Sequence, residues 1–421
     1  MKLNLIQTAI TVTVISVGFV PTAYSERVSE PSQLAQQVAQ LRPQGPRGLE
    51  IFLNTHRDSL NNPSPEMRQA LDALCQQRDC YASKLYWYTD LAQAKTAASA
   101  TGKPILSLRL LGRLDQDLSC ANSRFFRVAL YPNAEIAQFL RDRYILHWES
   151  VREVPKVTVD FGDGRKLERT LTGNSIHYIL DSSGRPIDAI PGLYGPKAFW
   201  RQLSEAEQAV KEYTQRQSSA KESFLREYHR QRLASIQRQW AVDLAKLGIQ
   251  NPPRLVGMPI DSNEPPSAAI AGTIAVGKMR VEGPMLSNVS PATRNQAALR
   301  EITDEATWQR IAQLYASDGK LDRNSIALIG AKRFPNGNAE NLQRVVSNFE
   351  AAIALDTVRN EYMLHSQIHQ WFIDGNETIN NVNALNEKVY AQLFLTPNSD
   401  PWLGLMSSEG YSAIDNDGIR N

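Results

Sequence analysis

The sequence predicts an α/β protein: a central sheet flanked by helices, extended by a long charged helical stretch and followed by an all-helical C-terminal domain. Three observations carry this expectation. Ile105-Leu106-Ser107-Leu108-Arg109-Leu110-Leu111 is a short apolar run bounded by Gly102-Lys103-Pro104, the length and flanking of a buried strand. After it, Phe125, Phe126, Val128, Ala129 and Leu130 supply the apolar side of a helical turn. Beyond a proline-rich break, Leu342, Val345, Val346, Phe349, Ala352 and Ile353 follow the i, i+3, i+4, i+7 progression of an amphipathic helix.

In chain order, residues 1–25 read as a secretory signal peptide. Lys2 gives the positive end and residues 10–20 the apolar stretch, which is too short and threonine-rich to span a bilayer. Ala23-Tyr24-Ser25 gives small residues for cleavage. The mature chain is then expected to be periplasmic or secreted, with no stable membrane insertion. Residues 26–80 form an N-terminal helical segment. It has glutamine-rich turns at 33–41, breaks at Pro43, Gly45 and Pro46, and a helix start at Pro65-Glu66-Met67-Arg68.

Residues 81–205 hold the α/β domain. Within it, residues 157–171 alternate on either side of Gly162-Asp163-Gly164, which predicts a β-hairpin beside the sheet or added to its edge. Asp160-Phe161-Gly162 spells a kinase magnesium motif but lacks the accompanying phosphate and catalytic loops, so it reads as a turn. Residues 206–250 are a charged helical extension. Val210, Tyr213, Leu225, Tyr228, Ile236 and Trp240 mark a narrow stripe that packs on the domain or on a partner. Residues 251–295 are a proline-rich linker and 296–421 a C-terminal helical domain, with Val382, Leu385 and Val389 marking its last helix and 400–405 supplying apolar anchors.

With 46 basic and 44 acidic residues the net charge is +2, and no concentrated basic face is present, which argues against a nucleic-acid protein. The expected partner is another exported or envelope protein. No cofactor and no metal are expected. Of the three cysteines, Cys75 and Cys80 enclose four residues and form the favoured pair in an oxidising compartment, leaving Cys120 over. That pairing requires the helix from Pro65 to end before Cys80. Pairing of Cys120 with either of the other two stays open as the alternative.

Residues 85–104 place a helix of small residues before a Gly-Lys-Pro turn and a strand, and Cys120-Ala121-Asn122-Ser123 follows that strand. Residues 132–140 read as a helix, Tyr144-Ile145-Leu146-His147-Trp148 as the next strand, and 173–184 as a strand and turn. In these pieces the chain resembles the thioredoxin-like superfamily over about a quarter of its length. The resemblance implies a thioredoxin-like central sheet, with Cys120 at the family's Cys-x-x-Cys position. Three departures stand against activity. Ser123 replaces the second cysteine, Ser175 stands where the family keeps a cis-proline, and residues 112–118 lengthen the link from strand to cysteine.

Cys120 at a strand-to-helix junction predicts a thiol favoured as thiolate by the helix end and by Arg124 and Arg127, with Ser123 as hydrogen-bond donor and Ser175 lining a groove. Asp115 and Asp117 oppose that ionisation, and burial as a small apolar side chain is the competing reading. His177, two residues from Ser175, is a weaker catalytic expectation, and His147 lies on a neighbouring strand. His365 and His369 share a helical face, but Ser366 stands where a metalloprotease glutamate belongs and no third ligand is near in sequence, so a solvated or capping pair is expected. The functional expectation is a non-catalytic or weakly redox-active binding or scaffold module of the cell envelope. The alternative is a monothiol-type thiol-disulfide oxidoreductase using Cys120.

Overall fold

The computed structural model describes residues 32–170, 173–253, 304–334, 337 and 339–399. The expected signal peptide, nearly all of the proline-rich linker and the anchors at 400–405 fall outside them. The chain is mixed α/β. Its four-stranded sheet comprises β1 (Ile105–Leu111), β2 (Ile145–Arg152), β5 (Ser175–Leu180) and β6 (Pro186–Pro191) in the order β2-β1-β5-β6. β1 runs parallel to β2 and antiparallel to β5, and β6 runs antiparallel to β5. Every residue of β1, β5 and β6 is buried, which explains why β1 reads as a largely apolar run broken only by Ser107 and Arg109: both faces of the strand are covered.

Cross-strand register sorts the side chains into two layers. Leu108, Trp148 and His177 lie on one face, and Ser107, His147 and Tyr178 on the other. The first face is covered by α6 (Ala121–Phe125), which continues as a π turn over Phe126–Leu130, and by α8 (Pro196–Gln215); Phe126 and Phe199 pack on His177. On the other face lies α14 (Val382–Lys388): Tyr178 donates to Asn386 Oδ1 at 3.3 Å, and the buried Arg109 donates to Asn383 Oδ1 at 3.1 Å.

The link from β2 to β5 carries the expected hairpin, β3 (Lys156–Asp160) with β4 (Lys166–Thr170). It forms a two-stranded sheet of its own rather than an added edge. Asp160 and Asp163 side chains accept from the backbone N–H groups of Gly162 and Arg165, which holds the turn.

The N-terminal helices are α1 (Gln33–Leu41), α2 (Pro46–Thr55), α3 (Pro65–Cys75) and α4 (Cys80–Ser83). The break expected at Pro46 is instead a helix start: Gly45 at φ 67° turns the chain, and Pro46 takes the first-turn position where a missing N–H costs nothing. Leu41, Leu49, Phe52, Leu71 and Leu74 form a core of their own. Arg42 ties it to the sheet unit by donating to the carbonyls of Leu74 and Trp87. α3 ends at Cys75 with Gln76 in the left-handed region, and the chain returns so that Cys75 and Cys80 form a disulfide.

α5 (Leu91–Thr101) and α7 (Ala134–Arg143) complete the first half. The long α9 (Ser218–Leu247) leads away from the sheet unit, and α10 (Glu305–Leu314), α11 (Arg323–Arg333), α12 (Ala339–Arg359), α13 (Ser366–Asp374) and α14 follow. The C-terminal region is helical as its periodicity predicts, yet it is not packed apart. Ile353, Ile368, Phe372, Leu385 and Val389 share one continuous core with the sheet. The physical reason is the hairpin: a two-stranded ribbon standing off the sheet does not cover a sheet face, and the C-terminal helices do.

Candidate functional site

Two polar centres lie on this frame. The first is Cys120, the residue preceding α6, reached from β1 through a loop over 112–119. It is fully buried and outside the disulfide. Its S–H donates to the Asn174 carbonyl at 3.8 Å, and that carbonyl also accepts from Tyr390 at 3.2 Å. The Asn174 side chain donates to Thr396 Oγ1 at 2.9 Å. The sulfur is therefore roofed by the C-terminal region, and its contact uses the thiol proton.

The groups expected to activate it are engaged elsewhere. Ser123 Oγ bonds Ser119 Oγ at 2.9 Å, and Ser175 Oγ accepts from Asn122 Nδ2 at 2.9 Å. Arg124 donates to Thr170 at the hairpin base, and the buried Arg127 pairs with Asp79 and lies 3.9 Å from Asp117. Asp115 is held by Arg113. His177 bonds the Tyr131 hydroxyl at 2.8 Å and sits among Phe126 and Phe199; burial pushes its imidazole down to about 3. His147 bonds Ser107 at 2.8 Å and is likewise pushed down to about 3 by burial.

The second centre is the one the sequence undervalued. The expected solvated or capping pair His365 and His369 is fully buried. Both point into a seam between β6, α9 and the π turn Asn360–His365 that runs into α13. Asp188 from β6 and His229 from α9 join them there. Asp188 is buried, accepts from the Tyr228 hydroxyl at 2.6 Å and lies 3.4 Å from His365 Nε2. His365 Nδ1 is 3.0 Å from Glu361 Oε2, which also accepts from Tyr194 and Gln202. Burial would lower the His365 pKa, but the Glu361 and Asp188 carboxylates outweigh it and hold it up at about 9. Asp188 is held well below the usual carboxylate range: burial opposes this, and the surrounding imidazoles prevail.

The remaining pair has a defined proton order. His229 Nε2 faces the Ile187 carbonyl at 3.0 Å and so carries the hydrogen. Burial pushes His229 down to about 4 and holds His369 well below its ordinary value, so both are neutral near pH 7. His229 Nδ1 is then a lone pair that accepts from His369 Nδ1 at 2.8 Å. It follows that His369 Nε2 carries a lone pair, and this buried atom has no hydrogen-bond partner among the described residues. Beside the cluster lies a cavity of about 440 Å³ whose wall includes Tyr194, Gln202, Arg232, Tyr362 and Glu361. Glu361 thus belongs to both cluster and cavity.

Sequence spacing found His365 and His369 but not Asp188 or His229, which lie far away in the chain, nor Glu361, which the same i,i+4 spacing places one turn before His365. Asp188 left one trace, a carboxylate within the apolar run 187–190, where an unpaired charge is rarely buried. No family model, curated protein or solved structure matches the chain.

Proposed function

We propose that this chain is an exported protein built on a thioredoxin-like unit whose Cys-x-x-Ser position has become structural, and that it serves as a non-catalytic binding or scaffold module of the cell envelope. The carrying observation is the burial of Cys120 beneath Tyr390 and Thr396, with its thiol proton given to the Asn174 carbonyl. A thiolate there would face carbonyl lone pairs, and a partner disulfide would have to displace the C-terminal helices to reach it. The strand order β2-β1-β5-β6, with a cysteine at the strand-to-helix junction and Ser175 opening β5, supports the thioredoxin-like assignment. The Cys75–Cys80 bridge supports export.

The exposed Val159 and Phe161 of the hairpin support this reading as apolar contacts open to a partner. Iodoacetamide labelling of the native protein across pH tests the reading. Mass spectrometry would first establish that the Cys75–Cys80 bridge is intact. Cys120 is expected to stay unlabelled until denaturant is added. Rapid native labelling that disappears in Cys120→Ser would instead restore the monothiol oxidoreductase.

A further inference from the structure

We propose that Asp188, His365 and His369 bind one divalent transition-metal ion of the zinc class, oriented by His229 and Glu361. Each of the three brings a ligand-capable atom within 4.8 Å of the other two, and all three are buried. Tetrahedral zinc sites with bonds of about 2.0–2.2 Å set ligand atoms about 3.3 Å apart, a spacing that Asp188 and His365 Nε2 already have at 3.4 Å. Two imidazoles and a carboxylate form a donor set that suits Zn²⁺ or Co²⁺.

The observation pointing to an ion rather than to a closed hydrogen-bond network is His369 Nε2. It is buried and has no hydrogen-bond partner among the described residues, while Nδ1 of the same ring is engaged by His229 at 2.8 Å. A buried polar atom left so is destabilising unless something pairs with it. The second layer is what metal-binding histidines ordinarily have. His365 Nδ1 faces Glu361 and His369 Nδ1 faces His229, which fixes ring orientation; His365 Nε2 is then turned to Asp188, the third proposed ligand. Glu361 also borders the neighbouring cavity, which brings that cavity to the cluster's second layer.

Stoichiometry is readable because the chain has only six histidines and three are in this cluster. Among the described residues the other three belong to no such group of ligands, and each has one ring nitrogen hydrogen-bonded: His56 with Gln37, His147 with Ser107 and His177 with Tyr131. The decisive measurement uses the full mature chain, free of any tag, stripped with chelator and titrated with Zn²⁺ and with Co²⁺. We expect about one ion per chain by elemental analysis. Zn²⁺ should raise the thermal midpoint, chelator should reverse the rise, and Co²⁺ should give the visible spectrum of a low-coordinate site. His369→Gln and Asp188→Asn should weaken binding by more than about 100-fold and His229→Gln by about 10–100-fold, while Cys120→Ser leaves it unchanged. A wild-type chain that takes up no Zn²⁺ and whose midpoint ignores both metal and chelator overturns the proposal, whether or not the variants fold. Uptake equally strong in His369→Gln overturns it too.

Discussion

His147 and His177 are buried imidazoles held neutral, each with one nitrogen hydrogen-bonded and the other without a partner among the described residues. Both have native pKa values near 3, far below the ordinary 6.5, so the unfolded chain binds more protons than the native one as pH falls. Stability is then full above about pH 6.5 and declines as pH drops toward 3, by about 2–3 kcal/mol per histidine at pH ~4.5. Urea midpoints measured across that window should show the loss. In His177→Phe the slope should flatten, at the cost of about 1 kcal/mol at neutral pH for the lost Tyr131 bond. An unchanged slope would mean that this imidazole is not held neutral. At Cys120, Cys120→Ser puts a stronger donor on the Asn174 carbonyl in an apolar setting, so only a modest change in stability is expected, about 1 kcal/mol by urea unfolding.

Elements were legible where one signal sufficed. β1, the hairpin and α3 follow directly from apolar runs, alternation and a proline helix start, because these depend on neighbouring residues. α2 was hidden because proline both breaks helices and begins them, and only Gly45 at φ 67° decides which. The rest of the histidine cluster was hidden for a different reason: Asp188 comes from β6 and His229 from α9, while His365 and His369 sit in the π turn and α13, and no local pattern reports an approach across more than 100 residues.

Two element-scale predictions follow from the same packing. The Cys75–Cys80 bridge closes a small loop, so Cys75→Ser/Cys80→Ser should cost about 2 kcal/mol. The loss should appear as faster hydrogen exchange in α3, whose core is separate from that of the sheet. Gly195 precedes α8 with the Asp318 carbonyl 2.0 Å from where a Cβ would stand. Gly195→Ala must therefore push the 315–319 turn away from α8, and a thermal midpoint lowered by several degrees is expected.

For the whole molecule, the question is whether the C-terminal helices are a passenger or part of the fold. One face of the sheet carries Arg109, Tyr178 and the edge near Asn174, whose polar partners are Asn383, Asn386 and Thr396. Removing residues 254–421 would strip all three partners and uncover the apolar residues that share the core with Leu385, Val389 and Leu393. Arg109 would keep only its ion pair with Glu149, and the hairpin cannot take the helices' place because it pairs with itself. A fragment ending at Pro253 should therefore bind a hydrophobic dye, lose near-UV circular dichroism and unfold without a cooperative transition, while keeping much of its helical far-UV signal. Cys120 in that fragment should become alkylatable without denaturant, since its roof leaves with Tyr390 and Thr396. A fragment that instead unfolds cooperatively with Cys120 still protected would show that the sheet unit is sealed without its C-terminal helices.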